Sequence, residues 1–150
     1  MGQSTVTFDR QVFQGTATSG GGTFVVTLPT NAAPYTDQAI RLIARTYITS
    51  ASGSHLVNVA AILSEYVVEN KNNTTTAATA LATSSNPVNS NTVGFALTSR
   101  PGTADTPVNT STAVWTLSSS QAVLTVTNNG TVSVNANVTV VVDIEMVGST

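Results

Sequence analysis

The C-terminal third of the chain has the most regular pattern of apolar and polar positions. From position 132 to position 146 an apolar residue stands at every second position, and the intervening positions are mainly polar. Side chains alternate between the two faces of an extended strand, so a period of two indicates a strand and not a helix. The pattern predicts one long closing strand, which at about 3.3 Å per residue would span on the order of 50 Å.

Shorter alternating runs predict further strands, at residues 5–13, 24–28, 93–97, 114–117 and 122–126. Residues 38–50 fit both a strand and a helical stripe, and the Thr46-Tyr47-Ile48-Thr49 end favours the strand. Residues 50–54 then indicate a hairpin turn, and residues 55–68 form the returning strand. In that hairpin Arg41 and Arg45 share a face, where they meet Glu65 or Glu69.

Two segments rich in Gly and Asn predict turns: Gly20-Gly21-Gly22 and Asn128-Asn129-Gly130. Two long polar loops are predicted near residues 70–91 and 101–112, where few side chains can bury apolar area. No helix is predicted. The chain is therefore expected to be a single domain of residues 1–150, all-β, with an antiparallel β-sandwich or jelly roll of about seven to nine strands.

The composition is low in charge. Charged residues make up 8% of the 150 positions, and Thr, Ser and Asn fill more than a third. The formal net charge of −2 and the scattered basic residues argue against a nucleic-acid partner. No apolar run reaches the roughly 18 residues of a membrane helix, and the N-terminus has no signal-peptide pattern, so membrane insertion is not expected.

The residues that usually carry catalysis or metal binding are scarce. The chain has no cysteine and one histidine, His55, which follows Ser52-Gly53-Ser54 and is expected to face solvent in a turn. Asp143 and Glu145 stand two apart and should share a strand face. Paired carboxylates occur in glycosidases and calcium sites, but a solvated strand end is the favoured interpretation. No catalytic, cofactor or metal site is predicted, and the chain is not expected to be an enzyme.

The aromatic residues offer one candidate for an exposed contact. Trp115 lies among apolar strand residues and is expected in the core. Tyr35 follows Pro34 in a predicted loop, and it is the candidate residue for contact with a partner protein or a glycan. Weak charge favours a surface that packs against neighbours, because burying an unpaired charge costs more than burying a hydroxyl or an amide.

Several segments occur in an order that resembles a known class of proteins. They are the first hairpin opening Ala39–Arg45, its return Gly53–Val57, the tryptophan strand Val114–Leu117, and Ala122–Gly130 before the closing strand. From about residue 38 to residue 147 the chain resembles β-sandwich modules of tailed-bacteriophage virion proteins, both tail-fibre domains and head-decoration proteins. The resemblance implies a non-enzymatic component of the virion surface, a homo-oligomer with a trimer favoured, which binds the major capsid protein, another virion protein or a host-surface glycan.

The absence of a repetitive shaft favours a capsid decoration (cement) or head-fibre protein that binds the assembled shell. Multivalent attachment to a shell of many identical copies would make modest contacts durable. The alternative is a tail-fibre, receptor-binding or glycan-binding module. A third possibility is a pilus or surface-layer subunit that exchanges the strand Ser4–Phe13.

Overall fold

The structure, a computed structural model, describes residues 4–30, 37–52, 55–71, 74–77, 111–129 and 136–149. This part of the chain contains eight strands: β1 (Ser4–Ala17), β2 (Gly22–Pro29), β3 (Asp37–Ser52), β4 (His55–Lys71), β5 (Thr74–Ala77), β6 (Thr112–Ser118), β7 (Gln121–Asn128) and β8 (Ala136–Ser149). None of the described residues forms a helix, and so none forms a helix that could cross a membrane.

The strands form two antiparallel sheets. The larger sheet has five strands in the order β1-β8-β3-β4-β5, and the smaller has three in the order β2-β7-β6. One cluster of buried apolar side chains contains residues of both sheets, so the core lies between them. The predicted fold class, an all-β antiparallel sandwich, is confirmed.

The closing strand lies inside the larger sheet, with β1 on one side and β3 on the other. Val138, Val140 and Val142 alternate toward the core and are at most 1% exposed. The strand predicted from the period of two is confirmed from Ala136 to Met146, and β8 continues to Ser149. Positions 132–135 lie outside the described residues.

The ambiguous segment 38–50 is a strand, as the prediction favoured. β3 pairs with β4 as an antiparallel hairpin with a register shift at Ser50 and Ala51. His55 is the first residue of β4 and pairs with Ser52, so its backbone belongs to the strand and not to the turn. The prediction that its side chain faces solvent lies outside what the structure describes.

The predicted loop 70–91 is wrong at its beginning. β4 runs to Lys71, and Thr74–Ala77 forms β5, which pairs with the end of β4. Threonine has no apolar bulk, but its branched Cβ suits a strand at a sheet edge. Thr112 belongs to β6, which shortens the second predicted loop. Residues 78–110, with the predicted strand 93–97, lie outside the described residues.

The tryptophan packs in the core, as predicted. Trp115 is 1% exposed, and its ring stacks on that of Tyr66 with centroids 6.0 Å apart and planes inclined by 13°. These residues belong to β6 and β4, so the stack joins the two sheets. An aromatic pair contributes about 0.5–1.5 kcal/mol beyond the area it buries.

Two buried hydrogen bonds also join the sheets. The Ser64 hydroxyl donates to the carbonyl oxygen of Ala113 at 3.2 Å, and the Asn128 amide donates to the carbonyl oxygen of Ala17 at 3.2 Å. Each bond gives a buried side-chain donor a backbone carbonyl as its partner. They fix how the smaller sheet sits on the larger one, which leaves the opposite face of the larger sheet uncovered by it.

Two turns need positive φ angles. Gly20 and Gly21 have φ of 74° and 104° between β1 and β2, which confirms the predicted glycine turn. Ser119 and Ser120 have φ of 48° and 63° in the two-residue turn between β6 and β7. Two consecutive positive φ angles define a type I′ hairpin turn. Such turns favour Asn-Gly, whereas the sequence here is Ser119-Ser120, so the turn could not be recognised from its residues. The Thr30 hydroxyl donates to the carbonyl oxygen of Ser120 and holds this turn.

Candidate interaction surface

The candidate site is the face of the five-stranded sheet that points away from the smaller sheet, here called the outer face. Alternation along each strand places on it residues 6, 8, 10 and 12 of β1, residues 141, 143, 145 and 147 of β8, residues 41, 43, 45 and 47 of β3, and residues 63, 65 and 67 of β4. Among the described side chains, the inner face of β3, β4 and β8 is largely buried, whereas β1 is buried only at its end, at Ala17.

Asp143 stands between two arginines on this face. Its carboxylate accepts hydrogen bonds from Arg10 at 2.6 and 3.2 Å and from Arg45 Nη1 at 2.5 Å. Arg10 lies directly opposite Asp143 in the register of β1 and β8, which explains its two bonds. One carboxylate therefore links three adjacent strands, β1, β8 and β3.

Arg41 makes the corresponding link between β8, β3 and β4. Its Nε lies 2.8 Å from Glu65 Oε1, and its Nη1 lies 3.6 Å from Glu145 Oε2. The predicted contact between Arg41 and Glu65 across the hairpin is confirmed. The prediction for Arg45 is wrong, because β8 lies beside β3 and brings Asp143 diagonally next to Arg45, whereas the position opposite Arg45 in β4 is Leu63.

The arginines change the acid–base behaviour of this face. Hydrogen bonds from Arg10 and then Arg45 lower the pKa of Asp143 from its usual 3.8 to about 2. The same hydrogen bond raises the pKa of Arg10. Asp143 therefore stays ionised at neutral pH and has no proton to give, which is the opposite of what a glycosidase acid needs.

The prediction that Asp143 and Glu145 share one face of a strand is confirmed. Both carboxylates bind arginines from neighbouring strands. Among the described residues, no group of three or more histidine, aspartate and glutamate side chains could hold a metal ion. Asp143 and Glu145 therefore neutralise the charges of arginines on neighbouring strands of the sheet.

Apolar side chains stand exposed between these ion pairs. The exposed large apolar residues of the outer face are Val6, Phe8, Val12, Tyr47, Leu63 and Val147. Phe8 is 75% exposed, the largest value among them. A shallow depression of about 620 Å³ lies beside it, with Arg10, Ile43, Arg45 and Asp143 among its lining residues. The outer face therefore combines exposed apolar side chains with ion pairs that are already formed.

Arg10 of β1 belongs to this surface and was not among the contact residues predicted from the sequence. Arg10 shares a strand face with Val6, Phe8 and Val12, and a charge within an apolar set is the signal that this face meets water. Tyr35, the predicted contact residue, lies outside the described residues.

Comparisons with known proteins add one similarity. No protein-family model and no curated protein matches the chain. Among solved structures, the chain is similar to the tailspike protein of Acinetobacter baumannii phage AM24, with a TM-score of 0.42 and 12% sequence identity. The similarity covers 97% of this chain and 28% of the tailspike chain, so the chain spans under a third of that protein. A similarity at this level assigns no function.

Proposed function

We propose that the chain is a non-enzymatic structural protein of a bacteriophage virion, a capsid decoration or head-fibre protein whose outer face binds the assembled shell. The observation that carries this proposal is the outer face itself, where exposed apolar side chains alternate with charges that are already paired. Such a face suits contact with a protein surface, because water can be excluded without leaving an ionised group unpartnered.

The shape of the outer face favours a protein partner over a small molecule. Small-molecule sites are concave and enclose most of their ligand. The outer face extends across four strands, and its depression beside Phe8 is shallow and open. Tyrosine, phenylalanine and arginine are also the residue types enriched at the centres of protein interfaces.

The virion assignment is supported by the sequence resemblance to bacteriophage β-sandwich modules. The segments that carry it form β3 and β4, the tryptophan strand β6, and β7 before the closing strand β8. The low charge of the chain supports the same proposal, since a coat of many copies is easier to pack when little like charge is repeated.

Leu63→Glu tests shell binding. Leu63 is 37% exposed on the β4 side of the outer face, and Arg45 lies opposite it in the register, so the new carboxylate has a positive partner and the fold should persist. The matched control is Val25→Glu, because Val25 is 51% exposed on β2, which belongs to the smaller sheet. The measurement is co-sedimentation of each purified variant with phage heads assembled without this chain.

We expect Leu63→Glu to weaken head binding at least tenfold and Val25→Glu to leave it unchanged. If both variants bind phage heads equally well, the outer face is not the surface that binds the shell. If the unmodified chain binds bacterial cells or purified glycans and does not bind heads, the receptor-binding alternative replaces the decoration role.

A further inference from the structure

The first strand forms an open edge of the larger sheet. β1 is the terminal strand in the order β1-β8-β3-β4-β5, so among the described strands it pairs with β8 alone. All seven residues from Ser4 to Arg10 are exposed in the folded chain, so this half of the strand has nothing over it. Within the described part of the chain, one edge of β1 therefore presents unpaired backbone N–H and C=O groups over several residues.

This edge lacks most of the features that prevent pairing. β1 has no proline, and its register with β8 runs through fourteen pairs without a bulge. Proteins usually protect long edges with proline, a bulge or charges on the strand. The charges in the exposed half are Asp9 and Arg10, and Arg10 already binds Asp143.

We infer that this edge pairs with the same edge of a second copy of the chain, with the two β1 strands antiparallel and Phe8 on the twofold axis. The two five-stranded sheets then join into one continuous sheet. The axis is perpendicular to the sheet, so the outer faces of both copies lie on the same side. This inference does not depend on the binding of a phage shell.

The charges on β1 are compatible with this register and disfavour two of the registers next to it. With Phe8 opposite Phe8 of the partner subunit, Val6 lies opposite Arg10 and Thr7 lies opposite Asp9. Shifting the axis to Asp9 or to Arg10 would place two like charges directly opposite each other, which is unfavourable on a sheet. The Phe8 register pairs nine residues, from Ser4 to Val12, and this stretch contains the exposed half of β1.

The same charges favour a second copy as the occupant of the edge. One aspartate and one arginine give the exposed half of β1 no net charge, so two identical edges meet without repulsion. Phe8 is 75% exposed, and the pairing brings two such rings together, with Arg10 of each subunit on the diagonal beside the opposing ring. A strand whose charges all had the same sign would repel a second copy of itself and would favour a different partner.

The absence of cysteine allows a direct test by single-cysteine variants. Directly opposite residues of antiparallel strands have Cβ atoms about 4.5–5.5 Å apart, close to the separation that a disulfide requires. Phe8→Cys should therefore form a covalent dimer under mild oxidation, at least tenfold faster than Val25→Cys. Val12→Cys is a second control on the same strand, because its proposed partner is Ser4 and not Val12.

The mass of the unmodified chain in solution is the second measurement, by light scattering across a dilution series. We expect a species with twice the mass of one chain, which Phe8→Lys converts to a monomer and Val25→Lys does not. A strict monomer at all concentrations, or the trimer that the resemblance implies, would overturn the inference. Equal cross-linking of Phe8→Cys and Val12→Cys would also overturn it. Leu63 lies outside β1, so a failure of shell binding in Leu63→Glu leaves this result unaffected.

Discussion

Thr46 provides a test of how the core is packed. It lies on the inner face of β3 and is completely buried, and its hydroxyl has no hydrogen-bond partner among the described residues. Valine replaces that hydroxyl with a methyl group and keeps the branched shape that a strand favours. We therefore expect Thr46→Val to raise the free energy of unfolding.

The size of the gain follows from the burial of the hydroxyl. A buried polar group without a partner costs about 1–3 kcal/mol, because it loses its hydrogen bonds to water and gains none in return. Removing it should recover a cost of this order. For a chain of this length each kcal/mol corresponds to roughly 2–4 °C in Tm, so a rise of about 2–12 °C is expected.

Urea unfolding followed by tryptophan fluorescence measures the difference, because Trp115 is buried in the same core. Thr27→Val is the matched control, since Thr27 is exposed on β2 and should change the free energy of unfolding by less than about 0.5 kcal/mol. If Thr46→Val lowers the stability, the hydroxyl is satisfied in the folded chain and the reasoning is refuted.

Three further predictions concern the ion network, a turn and a close contact. The pKa of Asp143 is about 2 in the folded chain and 3.8 as its usual value, so its stabilising effect is complete above about pH 4 and is lost as the pH falls through 2. The difference in unfolding free energy between the chain and Asp143→Asn should shrink over that range, and a constant difference would contradict this prediction. Ser120→Gly should raise stability by up to about 1 kcal/mol in urea unfolding, because glycine adopts positive φ without strain, whereas Ser118→Gly in β6 should lower it. Gly15→Ala should lower stability by about 1–3 kcal/mol, because its Cβ would lie 2.3 Å from the Phe24 ring; the loss should be smaller in a Phe24→Leu background, and an equal loss in both would place its cause elsewhere.

Most of the strands were predictable because one face packs in the core and the other faces water. β8 illustrates this, since its valines alternate with polar residues over most of its length. β3 was ambiguous until its threonine and tyrosine content was considered, and that content identified it correctly. The short strand β5 was not predictable, because four residues of Thr and Ala carry no alternation.

The order of the strands was not predictable from local patterns. β8 pairs with β1 over more than a hundred residues of separation, and no periodicity encodes such a contact. The equally non-local pairing of β8 with β3 explains why Arg45 binds Asp143 and not a glutamate of its own hairpin. A period of two also separates two faces without showing which of them a second sheet covers. The Val6 and Phe8 face of β1 resembles a core face in sequence, yet it is exposed.

The outer face concentrates charge in a chain that has little of it. Three of the chain's five basic residues, Arg10, Arg41 and Arg45, lie there, and each binds a carboxylate of a neighbouring strand. The apolar side chains between them are therefore next to charges that cancel locally. Binding through this face should come from apolar contact and shape, with little contribution from net charge.

The proposed binding of phage heads should therefore depend little on the salt concentration. Ionic screening weakens attraction between surfaces of opposite net charge, while apolar contact is hardly affected by it. The affinity for heads should therefore change by less than about threefold between 50 and 500 mM NaCl, measured by co-sedimentation. The Asp143→Asn variant is the control, since it leaves Arg10 and Arg45 without their shared carboxylate and should make binding sensitive to salt. A steep loss of affinity with salt in the unmodified chain would show that unpaired charge, and not the neutral apolar face, holds the protein to its partner.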